Sequence, residues 1–371
     1  MMASPGPAAA LSDPNQKVRI PVRPSATERF IDLGPNCNSV PMVSRSNSND
    51  PYDPLDPRHI DPARFDVHLA EVNAQRIAYV RENANGGPAV LLVHGWPETM
   101  RIWWKVIEPL ADAGFDVIVP DLRGFGDSAV SADGIHDVGA HSDDMTALLD
   151  HLGVASAILV GGDLGGPIVQ DMALGAPARF DRLVLFNTLV PFDRTAMAGL
   201  VTRPAREASD YFVRQGTDAD ALIAELTTAT ARQRYIATFY TSRFWAHPGA
   251  FIHPDDEAPA HRFGGSRLVD FHTEPFRSAE HLRASFGAYE SAFITSKRSR
   301  PARMETNPDV EVVILHGTSD HVIASGFADM AAIAFPRHIG PFLLPRCGHF
   351  VQWEAPQALV SAIEVLGRDR R

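Results

Sequence analysis

Apolar and polar positions divide the chain into stretches of different period. Phe65 to Val72 and Arg76 to Arg81 alternate apolar and polar residues, the spacing of strands with one wet face. Ala89 to Val93, the run from Phe115 to Leu122, and Ala157 to Val160 are near-continuous apolar runs, as in strands covered on both sides. Between and after them, Val138 to Leu152 and Leu164 to Leu174 carry apolar residues at helical spacing. Strands alternating with helices as far as Asn187 predict an α/β fold, with a mostly parallel sheet and helices on both faces.

The alternation then stops. From about Val190 to Ser299 the pattern predicts helices and long loops, with helices over Arg203 to Arg214, Thr217 to Ala229, Ala231 to Phe244 and His281 to Lys297. Strand character returns at Val310 to Leu315 and in a last short strand from Phe342. Residues 1–60 are rich in Pro, Ser, Asn and Asp, which predicts an extended or partly disordered arm. The expected organisation is therefore an arm at 1–60, a core from 61–189 and 300–371, and a helical cap at 190–299. An insertion placed between two halves of one sheet is expected to cover the strand ends and exclude water there.

Candidate chemistry lies where apolar runs end. Gly161-Gly-Asp163-Leu-Gly165 joins a strand to a helix, and small residues two positions on either side of Asp163 permit a strained turn that pushes this side chain out of the sheet. A serine there would attack a carbonyl. A carboxylate is a poor acyl-transfer nucleophile, but it displaces a leaving group at an sp³ carbon and forms an alkyl ester. The expected chemistry is cleavage of a carbon–oxygen or carbon–halogen bond by water. Downstream, the strand from Val310 leads to Asp320, and the last strand leads to His349. The order nucleophile, acid, histidine assigns Asp320 to orient His349 as general base. His94 is expected to brace its loop by hydrogen bonding, and His321 to point away from its neighbour Asp320.

Composition narrows the class. The net charge of −11, from 34 basic and 45 acidic residues, argues against a nucleic-acid partner. Two distant cysteines, Cys37 and Cys347, suggest neither a disulfide framework nor a metal site and fit a reducing, cytoplasmic compartment. No apolar run approaches membrane-spanning length, and no leader-like apolar segment follows the N-terminus. The 45% hydrophobic content of 371 residues supports one large core with an appendage, and a homo-oligomer is compatible with it.

With His94-Gly-Trp-Pro97, Gly161-Gly-Asp-Leu-Gly165, Asp320 and His349 in place, the chain from about residue 65 onward resembles the α/β-hydrolase-fold epoxide hydrolases. The resemblance implies that the backbone N–H groups of Trp96 and Leu164 form an oxyanion hole. It implies two cap tyrosines that bind the epoxide oxygen. Tyr211, in Asp210-Tyr-Phe, and Tyr289, in Phe286-Gly-Ala-Tyr289, match these, with Tyr235 and Tyr240 in reserve. Some relatives carry the orienting acid after the preceding strand. Here that stretch reads Phe186-Asn-Thr-Leu-Val-Pro191, with no carboxylate before Asp193, so Asp320 keeps the assignment. The implied reaction converts a small apolar epoxide and water to a vicinal diol, with no cofactor or metal.

Two departures accompany the resemblance. Leu164 follows the nucleophile where many relatives carry an aromatic residue, and the arm has no counterpart in the family core. The rival from the same fold is a haloalkane dehalogenase. Its halide is cradled by side-chain N–H donors, commonly a Trp directly after the nucleophile, which Leu164 removes. A catalytically dead hydrolase fold serving as a small-molecule receptor is the alternative from another class.

Overall fold

The computed structural model describes residues 51–53, 56–252 and 266–367. The arm expected at 1–60 therefore lies almost entirely outside the described residues, apart from a short 3-10 turn at Pro57–Ile60.

Among the described residues, eight strands form one sheet: β1 (Val67–Val72), β2 (Gln75–Glu82), β3 (Ala89–Val93), β4 (Asp116–Pro120), β5 (Ala157–Asp163), β6 (Arg182–Thr188), β7 (Glu311–Gly317) and β8 (His338–Leu344). Their spatial order is β1-β2-β4-β3-β5-β6-β7-β8. The two strands read as alternating, β1 and β2, form the antiparallel margin, and the rest run parallel. The continuous apolar runs become β3, β4 and β5, which are buried along nearly their whole length.

The sheet's helices are α1 (Trp104–Asp112), α2 (Val138–His151) and α3 (Gly165–Gly175) in the first half. The chain steps from β3 to β4 in one direction, then from β4 back past β3 to β5. Right-handed crossovers therefore put α1 and α2 on opposite faces. This reversal also opens a crevice beyond the carboxyl ends of β3 and β5, where parallel α/β sheets bind ligands.

Between β6 and β7, among the described residues, come six further helices: α4 (Arg206–Thr217), α5 (Ala219–Glu225), α6 (Ala229–Tyr240), α7 (Arg267–Thr273), α8 (Ala279–Ser285) and α9 (Gly287–Phe293). Two sequence expectations are corrected here. The single helix expected over His281 to Lys297 is two, α8 and α9, followed by a 3-10 turn at Thr295–Lys297. The break falls at Phe286, which caps both helices, and Gly287 opens the second, where a Cβ would lie 2.7 Å from that of His136. And α7 was not expected, because seven residues are too few to show a helical period. The second half of the core closes with α10 (Phe327–Ala334), α11 (Val351–Glu354) and α12 (Pro356–Gly367). The last strand also begins earlier than expected, at His338 rather than Phe342. Pro341 hides it in the sequence, yet β8 is the sheet's edge, where a missing N–H is tolerated.

Candidate active site

Asp163 ends β5 with φ of 44°, a left-handed conformation that non-glycine residues seldom adopt. The β5–β6 pairing slips at Gly162/Asp163, and the Thr188 hydroxyl donates to the Asp163 carbonyl at 2.6 Å, holding the turn. The flanking glycines are required by close approach. A Cβ on Gly161 would sit 2.5 Å from the Gly165 carbonyl oxygen, and one on Gly165 would strike that of Val93. The turn leaves the Asp163 carboxylate 11% exposed at the carboxyl edge of the sheet.

Three loops converge on it. From the end of β3, the Trp96 N–H donates to Asp163 Oδ1 at 2.8 Å. From the end of β8, His349 Nε2 lies 3.2 Å from Asp163 Oδ2. Its Nδ1–H donates to Asp320 Oδ2 at 2.9 Å, and Asp320 Oδ1 accepts the N–H groups of Val322 and Ile323 at 2.7 and 3.2 Å. Asp163, His349 and Asp320 thus stand in one hydrogen-bonded line. Burial opposes the imidazolium of His349, but the Asp320 and Asp163 carboxylates outweigh it and hold its pKa well above the usual histidine value. Of the two expected backbone donors, the Trp96 N–H meets the carboxylate. Leu164 sits at the N-cap of α3 and, among the described residues, makes no hydrogen bond to it.

The inserted helices supply the opposite wall. Tyr211, on α4, stacks on the Trp96 indole at 5.5 Å, and Tyr289, on α9, meets the same indole edge-on at 5.5 Å. The two rings lie 5.8 Å apart and meet edge-on. Burial first, with the Asp163 charge adding to it, pushes both phenols well above 10, so both remain protonated at neutral pH. Tyr235 and Tyr240 are committed elsewhere. The Tyr235 hydroxyl accepts from Gln215 Nε2 at 2.8 Å, and that of Tyr240 donates to the Pro97 carbonyl at 2.7 Å.

His94 braces the Trp96 loop. Its Nδ1–H donates to the Gly95 carbonyl at 2.8 Å while Nε2 accepts the Leu122 N–H at 3.0 Å, which fixes a neutral tautomer. Burial pulls its pKa down to about 4. The His321 N–H donates to the Phe244 carbonyl, and its ring faces Phe244.

Several supporting residues escaped the sequence reading. Asn187, one residue before the end of β6, has φ of 39° and is fully buried. Its Nδ2 donates to the carbonyls of Gly348 and His349 at 2.8 and 3.1 Å, while Oδ1 accepts the Gly317 N–H at 3.0 Å. One amide so ties the end of β7 to the loop carrying His349. Trp245 takes the His349 N–H on its carbonyl at 2.6 Å and packs its ring 4.7 Å from the imidazole. Two acids flank the centre, Glu98 buried and Glu354 half-buried, and desolvation raises each to about 7. Glu98 accepts the Gly95 N–H at 2.6 Å and Gln352 Nε2 at 2.7 Å. Glu354 accepts the N–H groups of Gly348, His247 and Phe350 at 2.8, 2.9 and 3.2 Å. A polar residue near a strand end, as Asn187 is, was the available signal. Nothing local marks the link between Glu98 and Gln352 or that between Glu354 and His247, because these partners are remote in sequence.

Among the described residues, no group of three or more His, Cys, Asp or Glu side chains is arranged to hold a metal, and no helix is long and apolar enough to cross a membrane. The profile of the alpha/beta hydrolase fold family matches residues 88–356. The chain is 28% identical over 337 residues to epoxide hydrolase A of Mycobacterium tuberculosis, covering 80% of this chain and 95% of that protein. Among solved structures it is similar to an epoxide hydrolase of Vigna radiata, with a TM-score of 0.64 and 22% identity over 83% of this chain and 99% of that one. It is also similar to a thermophilic esterase of Thermogutta terrifontis, with a TM-score of 0.61 and 24% identity over 82% of this chain and 98% of that one. The two neighbours bear the names of different activities, so the likeness speaks to the fold alone.

Proposed function

The chain belongs to the α/β-hydrolase fold family, and from that premise we propose that it is an epoxide hydrolase that works through an alkyl ester on Asp163. The observation that carries the reading is the pair of protonated phenols, Tyr211 and Tyr289, packed ring to ring against Trp96 and near enough to the Asp163 carboxylate for its charge to act on both. The helical insertion, residues 190–299, acts as a cap that brings them there.

In the first step Asp163 Oδ2 attacks a ring carbon and the carbon–oxygen bond of the epoxide breaks. The departing oxygen develops alkoxide character and is a poor leaving group. A phenol that stays protonated at neutral pH donates a hydrogen bond to that oxygen and then a proton. Alkylation also prepares the base. While Asp163 is charged, it helps to hold His349 as the imidazolium. As an ester it carries no charge, so the imidazole pKa falls and the neutral base becomes accessible.

In the second step His349 takes a proton from water, and the resulting hydroxide adds to the ester carbonyl carbon. Oδ1 becomes an oxyanion facing the Trp96 N–H, with the Leu164 N–H as the second proposed donor. Collapse breaks the acyl–oxygen bond, and His349 returns its proton to the departing diol oxygen. The regenerated carboxyl proton restores the tyrosine. Epoxide and water give a vicinal diol, and the scheme calls on no metal or organic cofactor. The substrate class is a small apolar epoxide.

The haloalkane dehalogenase alternative needs side-chain N–H donors around a halide. Leu164 supplies none, and the Trp96 indole N–H is already donated to Ser285 Oγ at 3.1 Å. The test is a panel of styrene oxide, a stilbene oxide, an aliphatic epoxide and 1-bromobutane, with diol, alcohol and halide followed together. Diol is expected from the epoxides. Bromide released faster than any epoxide opens would overturn the reading. A single turnover in ¹⁸O-water is expected to label Asp163, and label in the first-turnover diol would rule out the covalent ester.

A further inference from the structure

We propose that Glu98 is a positioning residue: by holding Gly95 on one side and Gln352 on the other, it keeps the Trp96 N–H on Asp163 and sets the rate of ester hydrolysis. The inference rests on the reading of Asp163 as the residue that forms the ester.

Glu98 closes the Gly95–Glu98 turn twice. Its Oε2 accepts the Gly95 N–H at 2.6 Å, and its own N–H donates to the Gly95 carbonyl at 3.3 Å. Trp96 lies within that turn, so the side chain directly fixes the peptide before the donor. The other carboxylate oxygen accepts Gln352 Nε2 at 2.7 Å, anchoring the turn to α11, the helix that follows His349. The Tyr240 hydroxyl holds the far side through the Pro97 carbonyl. The turn has no slack toward the nucleophile, since a Cβ on Gly95 would lie 2.5 Å from Asp163 Cβ.

Glu98 is itself 2% exposed, and among the described residues no Lys, Arg or His lies within ion-pair distance of it. Burial brings Glu98 to about 7, and in its ionised form it accepts an N–H more strongly than a neutral oxygen does, so its hydrogen-bonding capacity is spent on the loop's geometry.

The two steps respond differently to this donor. During alkylation the Asp163 carboxylate loses charge, so its hydrogen bond to Trp96 weakens toward the transition state. During hydrolysis Oδ1 gains charge, and the same bond strengthens. Misplacing the Trp96 N–H therefore slows ester decay and leaves alkylation nearly untouched. General loosening of the core slows both.

The experiment is rapid-quench kinetics on the full chain with styrene oxide, with the Asp163 ester quantified by peptide mass spectrometry. Glu98→Ala is expected to slow ester decay by about tenfold or more, since a well-aimed oxyanion donor is worth on the order of 10²-fold. Alkylation should stay close to wild type. Glu98→Gln, whose amide oxygen still accepts the Gly95 N–H, should restore most of the decay rate. Gln352→Leu removes the distant tether and should give a smaller slowing of the same step, and it serves on the same terms if Glu98→Ala fails to fold. Decay at the wild-type rate in these variants, or equal slowing of both steps, would overturn the proposal. Absence of any ester in the wild-type protein would sink the Asp163 reading and this inference with it.

Discussion

At the strand ends, backbone groups do most of the placing. Asp163 is held by the Trp96 N–H and the Thr188 hydroxyl, Asp320 by two N–H groups, and the His349 loop by Asn187, Trp245 and Glu354. In the insertion, Tyr211 and Tyr289 are placed by rings, stacked and edge-on against Trp96, Trp245 and Phe212. Hydrogen bonds fix atoms to a fraction of an ångström, whereas aromatic packing fixes a wall and tolerates small repacking. On the proposed mechanism, a nucleophile, base and acid need the first kind of control, and two donors that share one oxygen can be served by the second.

The sharpest test of this contrast removes one atom-precise group. Asp163→Asn should lower turnover by more than about 10³-fold, because members of such a unit fail together. His349→Gln should let the alkyl ester form and persist, visible as added mass on the intact protein. Rapid ester turnover in that variant would remove His349 from the second step.

A smaller effect is expected in the insertion. Tyr211→Phe and Tyr289→Phe keep the ring and delete a donor, so each should slow alkylation by up to about 10²-fold, with ester decay little changed. The partner hydroxyl can cover part of the loss, so the double variant should lose more than either single one. Single-turnover formation of the ester measures this. A double variant that opens epoxides at the wild-type rate would reduce both tyrosines to packing.

The smallest effect is on stability at the seam between the regions. His272, on α7, stacks on Tyr240 at 5.3 Å and meets Trp353 of the core edge-on at 4.4 Å. Burial first, then the Lys105 and Arg101 charges, pull its pKa well below 6.5. The native imidazole therefore stays neutral while the unfolded one takes up a proton below about pH 6.5. The stability it contributes is full above that pH and declines as pH falls, by up to about 1.4 kcal/mol per pH unit. His272→Phe should flatten the acid limb of a urea-unfolding series between pH 6.5 and 5 by about that slope. An unchanged slope would mean that this histidine protonates freely in the folded state.

The legibility of the chain follows the same division. The core strands, α2 and α3 were readable, because burial on two faces or one leaves a period of its own in the residues. The helices of the insertion were readable in outline but not at their ends. α7 is too short to show a period, and α8 and α9 part at Phe286, just before a glycine packed against His136, 151 residues earlier. β8 was half hidden by Pro341, which only its edge position makes tolerable.

For the site, the sequence by itself determined the identities at the strand ends: Asp163 between its glycines, the His94-Gly-Trp-Pro97 loop, and Asp320 and His349 in chain order. It could do so because each stands beside a local signal, a strand running out into a turn. Tertiary structure decided which tyrosine hydroxyls stay free for the site, since Gln215 and the Pro97 carbonyl engage those of Tyr235 and Tyr240. It also recruited Asn187, Glu98, Gln352 and Glu354 as supports. A hydrogen bond across 254 residues, such as that from Gln352 to Glu98, leaves no period and no spacing in the chain. It exists because the sheet brings the ends of its strands together.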